Sequence, residues 1–100
     1  MQSKKINFSD GKEIVLKPNE KFEFGNLIIT HKGGGHKILM DGSDLSFAAI
    51  ELKIMGTDRT EDFQTNSLDE TMQKIWEGYL IKVNKVERDG ESVALSITKL

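Results

Sequence analysis

Short stretches of alternating apolar and polar residues recur along the chain, separated by Gly, Pro, Asn and Asp. Val93, Leu95 and Ile97 alternate with small or polar residues, and residues 50–54 show the same period of two. This period places alternate side chains on one buried face of a strand. The chain is therefore predicted to be mainly β, with about seven or eight short strands.

Turn residues predict where these strands pair. Hairpins are expected at residues 5–16, 26–40 and 79–97. The first and third contain Asp-Gly, which supplies the positive φ of a tight two-residue turn. The second would have the glycine-rich segment Lys32-Gly33-Gly34-Gly35 as its tip.

The alternation is interrupted at two places, and each interruption predicts a local feature. Val86 is out of phase with Val83, which predicts a β-bulge around Asn84 and Lys85. Residues 56–66 have no periodicity and are predicted to form a loop, near the upper end of common loop lengths.

One segment has the spacing of a helix. Ser67 and Glu70 have the form of a capping box, in which each side chain satisfies the backbone N–H of the other residue. The apolar residues that follow fall at i, i+4, i+7 and i+8 and are Leu68, Met72, Ile75 and Trp76. This pattern predicts one short helix near residues 67–76, ended by Gly78.

Many strands with one late helix favour a small antiparallel β-barrel or a two-layer β-sandwich. A parallel α/β fold would instead alternate helices with strands. The chain has 100 residues, of which 37% are hydrophobic. These values fit a single β domain covering residues 1–100.

Composition restricts the class of partner and the compartment. A net charge of −2 argues against general nucleic-acid binding, and no apolar run reaches the ~18 to 20 residues of a transmembrane segment. The chain contains no cysteine, so it has no disulfide or thiolate metal cluster. Residues 1–5 lack the apolar stretch of a signal peptide, which predicts a cytoplasmic protein. The alternative is the mature part of a small surface-anchored exported protein, without its signal segment.

A candidate ligand-binding segment surrounds the glycine run. Its residues are His31, Lys32, Gly33, Gly34, Gly35, His36 and Lys37. Three glycines would let backbone N–H groups point inward as a nest, and the lysines add positive charge, which suits an anionic ligand. On this interpretation, replacing Gly34 with valine is expected to weaken binding without unfolding the protein. The alternative interpretation is a mobile hairpin tip that its lysines keep soluble and that binds nothing.

The sequence offers no recognisable catalytic or metal-binding pattern. His31 and His36 would face each other across the predicted tip, but a third ligand is missing, so neither a metal nor another cofactor is expected. Serines lack the Gly-x-Ser-x-Gly context, and no carboxylate pair stands out for acid–base chemistry. The protein is therefore not expected to be an enzyme.

These observations predict a small non-catalytic binding module of the inhibitor, sequestering or adaptor type. It would contact a protein partner or a small anionic ligand through residues 31–37 and neighbouring loops. The acidic residues 57–70 provide a second candidate contact surface, or only a solvated loop. The alternative function is a structural homo-oligomer that pairs through its sheet edges.

Overall fold

The alternating residues form two four-stranded antiparallel sheets. The computed structural model describes residues 11–67 and 72–100. In chain order, its strands are β1 (Gly11–Leu16), β2 (Lys21–Phe24), β3 (Leu27–Ile38), β4 (Asp44–Ile54), β5 (Thr60–Asn66), β6 (Gln73–Trp76), β7 (Tyr79–Val86) and β8 (Val93–Lys99). One sheet has the strand order β1-β8-β7-β6 and the other β2-β3-β4-β5.

The core lies between the two sheets and takes alternate residues from their central strands. Ile29 and Ile50 of one sheet, and Ile81 and Leu95 of the other, are completely buried in one cluster. Burying a side chain of this size contributes about 1.5–3 kcal/mol to stability. The mainly β prediction is confirmed, and of its two architectures the two-layer sandwich fits the observed sheets.

The third predicted hairpin and its bulge are also confirmed. β7 pairs with β8, and the register shifts between Val83 and Lys85. The connection is longer than the predicted two-residue turn, because a single 3₁₀ turn, Arg88–Gly90, lies between the strands. Its Asp89 and Gly90 both have a positive φ of 64°. This is the backbone conformation that the prediction of a turn at Asp-Gly assumed.

The predicted helix at residues 67–76 is wrong where the structure describes it, because Gln73–Trp76 form strand β6. The Ser67 hydroxyl accepts a hydrogen bond from the Ser46 backbone N–H at 3.0 Å, so it joins two segments of one sheet. The rest of the proposed capping box lies in residues 68–71, outside the described residues.

Strand pairing overrides the helical spacing of the apolar residues here. Trp76 lies opposite Tyr79, across a two-residue turn in which Glu77 and Gly78 have φ values of 51° and 84°. Two consecutive positive φ values are the requirement of a type I′ hairpin turn. Ile75, which the helix would have buried, is 64% exposed.

The predicted hairpin around the glycine run is also wrong. β3 continues through the glycines for 12 residues and pairs with β4 from Leu27 opposite Ile54 to Ile38 opposite Asp44. The chain reverses later, at residues 39–43, where the Leu39 N–H donates to the Ser43 carbonyl oxygen at 2.8 Å. Pairing with an eleven-residue neighbour outweighs the local freedom of three glycines.

Two other predicted segments differ from, or lie beyond, the structure. The predicted loop at residues 56–66 is wrong in its second part, because Thr60–Asn66 form β5 and pair with β4. The first predicted hairpin had a strand at residues 5–8, which lies outside the described residues. Its second strand is present as part of β1, which pairs with β8.

The turn between β3 and β4 gives a testable electrostatic prediction. The Ser43 hydroxyl, at 2.6 Å, and then the Ser43 backbone N–H, at 2.9 Å, donate to the Asp41 carboxylate and lower its pKa. Since the lowered pKa favours the charged form, this contribution to stability is present above the ordinary aspartate range and is lost as the pH falls through the lowered value. We expect Ser43→Ala to raise the Asp41 pKa partway to its ordinary value in an NMR titration. An unchanged Asp41 pKa would contradict the hydroxyl's role.

Candidate functional site

The seven predicted ligand-binding residues all lie in the second half of β3, where alternation divides them between two faces. His31, Gly34 and His36 lie opposite the inward-facing residues of β4, with His31 opposite the buried Ile50. The outer face receives Lys32, Gly33, Gly35 and Lys37. The structure therefore does not bring the seven residues together into one site.

His31 is completely buried, and both of its ring nitrogens are hydrogen-bonded. The Gly33 N–H donates to Nδ1 at 3.0 Å, so Nδ1 carries no proton. Nε2 must then donate to the Gly90 carbonyl oxygen, which lies 2.7 Å away. One acceptor and one donor nitrogen define the neutral imidazole. His31 thus has a structural role, joining β3 to the β7–β8 connection.

Gly34 and Gly90 bring two backbones into contact beside this histidine. A Cβ built on Gly34 would overlap the Phe47 carbonyl oxygen and lie 3.0 Å from the Gly90 Cα. A Cβ built on Gly90 would overlap the same carbonyl oxygen. Both positions therefore require glycine. The run is an extended strand, so the predicted hairpin-tip nest is wrong. Ligand contact through Lys32 and Lys37 stays a prediction.

His36 and Ser46 lie opposite each other on β3 and β4. Their side chains also contact the β7–β8 connection. The Asp89 carboxylate contacts His36 Nδ1, and the Asp89 backbone N–H donates to Ser46 Oγ at 3.0 Å. The His36 and Asp89 side chains are 39% and 52% exposed, so their contact contributes at most about 1 kcal/mol. The Asp-Gly step marks a turn, but no local signal links it to a histidine 53 positions earlier.

A shallow surface, here called the outer groove, crosses the outer face of β3, β4 and β5. It consists of two depressions of about 470 Å³ and 210 Å³. The larger is lined by residues that include Lys32, Ala49, Glu51, Asp62 and Gln64. The smaller is lined by residues that include Lys37, Leu45, Phe47, Gln64 and Asn66. Gln64 borders both depressions, so the two adjoin each other along the sheet.

The depth of the outer groove comes from small residues. Gly33 and Gly35 lie opposite Ala49 and Phe47 in the β3–β4 register, so this part of the face has little side-chain volume. The Phe47 ring covers Gly35, since a Cβ built there would lie 3.3 Å from Phe47 Cζ. An aromatic ring thus separates two recesses with charged rims.

The charged residues of the outer groove are not paired with one another. The salt bridges among residues 11–67 and 72–100 are His36–Asp89, Arg59–Glu77, Lys74–Glu61 and Lys85–Glu87. None of these involves Lys32, Lys37, Glu51 or Asp62. Glu51 lies directly opposite Asp62, an arrangement of like charges that destabilises a sheet. The groove therefore presents cations along β3 and, at one end, two carboxylates that form no salt bridge with another described residue.

The sequence prediction included the two lysines of this surface but assigned no binding role to Ala49, Glu51 or Gln64. Alternation alone places Glu51 on the outside of β4. Its proximity to Asp62 depends on β5, which the sequence predicted as a loop. Strand β5 was missed because polar residues occupy both faces of Thr60–Asn66, so the alternation that indicates a strand is weak there.

Further features and comparisons restrict the site's chemistry only slightly. Across the described parts of the chain, no three His, Asp or Glu side chains come together in a group that could hold a metal ion. No helix within these parts has the length and apolar character to cross a membrane. No protein-family model, curated protein or solved structure significantly matches the chain.

Proposed function

We propose that this protein is a small non-catalytic binding module whose contact surface is the outer groove. The observation that supports this most directly is the combination of a glycine- and alanine-floored depression with charged rim residues that form no salt bridge among residues 11–67 and 72–100. Lys32 and Lys37 retain the ligand-contact role predicted from the sequence. His31, Gly34 and His36 serve instead to build the scaffold beneath the groove.

The scaffold favours recognition without large rearrangement. The floor residues of the groove belong to β3 and β4, the two central strands of their sheet. The opposite faces of these strands are buried in the core or fastened to the β7–β8 connection through His31. Rigid elements present side chains at low entropic cost, which increases affinity for a given contact area.

The outer groove supports this proposal better than the sheet edges do. Edges β5 and β6 lie on the same side of the sandwich and are joined by the Lys74–Glu61 ion pair at 2.5 Å. Arg59 and Glu77 form a second ion pair next to it. Charged side chains at an edge hinder pairing with a further strand.

Site-specific photo-crosslinking tests the proposal. A benzoylphenylalanine at position 49 would occupy the outer groove, and one at position 94 would occupy a matched place on the other sheet. Ala49 and Ala94 are both half-buried alanines that lie next to surface depressions. In cells of the source organism, we expect an adduct of defined mass from position 49 and none from position 94.

Two outcomes would contradict the proposal. Equal adduct yields from both positions would indicate nonspecific contact, and no adduct from position 49 would argue against the outer groove as the contact surface. The crosslinker can also be placed in β1 or β6. A crosslinked product of twice the chain mass, formed with equal yield from these two strands, would instead favour the homo-oligomer that pairs through sheet edges.

A further inference from the structure

We infer that the outer groove binds an extended polypeptide segment with acidic side chains at positions i and i+4 and a basic side chain at i−1. This inference rests on the proposed function, because it names the partner class for the same surface. It depends on the groove's length, on the positions of its lysines and on the carboxylates at one end.

The groove has the length of a short extended peptide. Its floor follows β4 from Glu51 through Ala49 and Phe47 to Leu45, six residue intervals or about 20 Å at the rise of a strand. A peptide of six or seven residues in extended conformation covers this distance. The floor between the charged ends is small or apolar, which suits the apolar parts of such a segment.

The lysines determine the spacing of the acidic residues. Lys32 lies in the β3 bulge beside Gly33, and Lys37 is four residues beyond Gly33. The four residue intervals from Gly33 to Lys37 correspond to about 13 Å along the strand, so the two lysines border different depressions of the groove. In an extended peptide, residues i and i+4 point the same way and are separated by the same distance. Two carboxylates at this spacing would each meet one lysine.

The carboxylates at one end of the groove determine the basic residue. Glu51 and Asp62 lie one step along the outer face from the Ala49–Gln64 pair, which is next to Lys32. Residue i−1 of the peptide would point away from the lysines and towards this carboxylate pair. Its positive charge would relieve the repulsion between Glu51 and Asp62. A uniformly anionic glycan would instead be repelled there.

The experiment uses one synthetic peptide and matched controls. The probe is acetyl-Lys-Glu-Val-Thr-Val-Glu-Thr-amide, titrated into the ¹⁵N-labelled full chain and followed by chemical-shift changes at Ala49 and Gln64. We expect saturable binding with a dissociation constant on the order of 0.1–1 mM, as for a short, weakly buried segment. A peptide of the same composition with adjacent glutamates is expected to bind at least about threefold more weakly.

Charge reversal on the protein provides the second comparison. Lys32→Glu and Lys37→Glu are each expected to weaken probe binding by about fivefold or more, since an attraction becomes a repulsion. Lys82→Glu, an exposed lysine of β7, makes the same change in net charge on the other sheet. Its binding constant is expected to stay within about twofold of the wild type.

Several results would overturn the inference. These are no saturation by the probe, equal affinity for the two peptides, or equal weakening by Lys82→Glu and Lys32→Glu. Binding of a sulfated oligosaccharide that depends on Lys32, without binding of the probe, would overturn the peptide inference and leave the proposed function standing. A crosslink from position 49 to a non-protein ligand would likewise overturn the peptide inference and leave the proposed function standing.

Discussion

Replacing Gly34 with alanine is expected to destabilise the protein by about 3 kcal/mol or more. The new Cβ would overlap the carbonyl oxygen of Phe47 and press on the Gly90 Cα. Both obstacles are backbone atoms, so no side-chain rotation relieves the overlap, and the cost lies at or above the upper end for overpacking. Urea unfolding followed by circular dichroism measures the loss. For a domain of this size, ~3 kcal/mol corresponds to a Tm decrease of roughly 12–24 °C.

Gly35→Ala is the matched control in the neighbouring position. Its Cβ would meet only the tip of the Phe47 ring, at 3.3 Å, and the ring can shift. We expect a loss below about 1 kcal/mol. Equal stability of the Gly34→Ala and Gly35→Ala variants would show that the Gly34–Gly90 approach is not tight. The expectation that Gly34→Val leaves the fold intact is contradicted by this geometry, because a larger side chain meets the same backbone atoms.

Replacing His31 with leucine is expected to cost about 3 kcal/mol of stability. Leucine fills a similar volume but leaves the Gly33 N–H and the Gly90 carbonyl oxygen without their buried partner. Each unsatisfied buried group costs about 1–3 kcal/mol. Urea unfolding gives the total loss. Amide hydrogen exchange at Gly33 gives the local effect, which we expect to be faster in the variant.

Two further variants separate the hydrogen bonds of His31 from its volume. His31→Gln keeps an N–H donor near the position of Nε2 and is expected to recover part of the lost stability. His36→Leu removes an exposed side-chain contact with Asp89 and is expected to cost less than about 1 kcal/mol. A loss for His36→Leu as large as that for His31→Leu would refute the assignment of His31 as the main fastening.

Strands with clear alternation were predictable because one of their faces is buried along its whole length. Ile50 and Leu52 in β4, and Leu95 and Ile97 in β8, are completely buried, and the period of two records this directly. The bulge near Asn84 was predictable for the same reason. An inserted residue changes which side chains face the core, and Val86 shows this change of phase.

Segments with an ambiguous local pattern were predicted wrongly. The spacing of Met72, Ile75 and Trp76 fits a helix, but Gln73–Trp76 form a four-residue edge strand in which no residue is fully buried and only Lys74 and Trp76 are half-buried. Thr60–Asn66 are largely polar and became a strand only because β4 was available for pairing. A short segment carries too few residues to distinguish a period of 3.6 from a period of 2.

The candidate site was less predictable from the sequence than the strands were, because it depends more on tertiary structure. The sequence identified residues 31–37 as unusual, and the two lysines do lie at the surface. It could not show that His31 and Gly34 meet Gly90, which lies 59 and 56 residues further along the chain. It also could not place Asp62 beside Glu51, because the predicted loop hid the strand pairing that brings them together.

The sequence alone determined the mainly β class, the inward-facing residues of β7, β8 and the second half of β4, and the bulge in β7. These were predictable because the burial of alternate side chains is a local property of each strand. Tertiary structure alone decided that the glycines continue a strand, that His31 is a buried hydrogen-bonding residue and that the outer groove has charged rims. These features arise from contacts between strands and connections far apart in the chain, whose register depends on the fold as a whole.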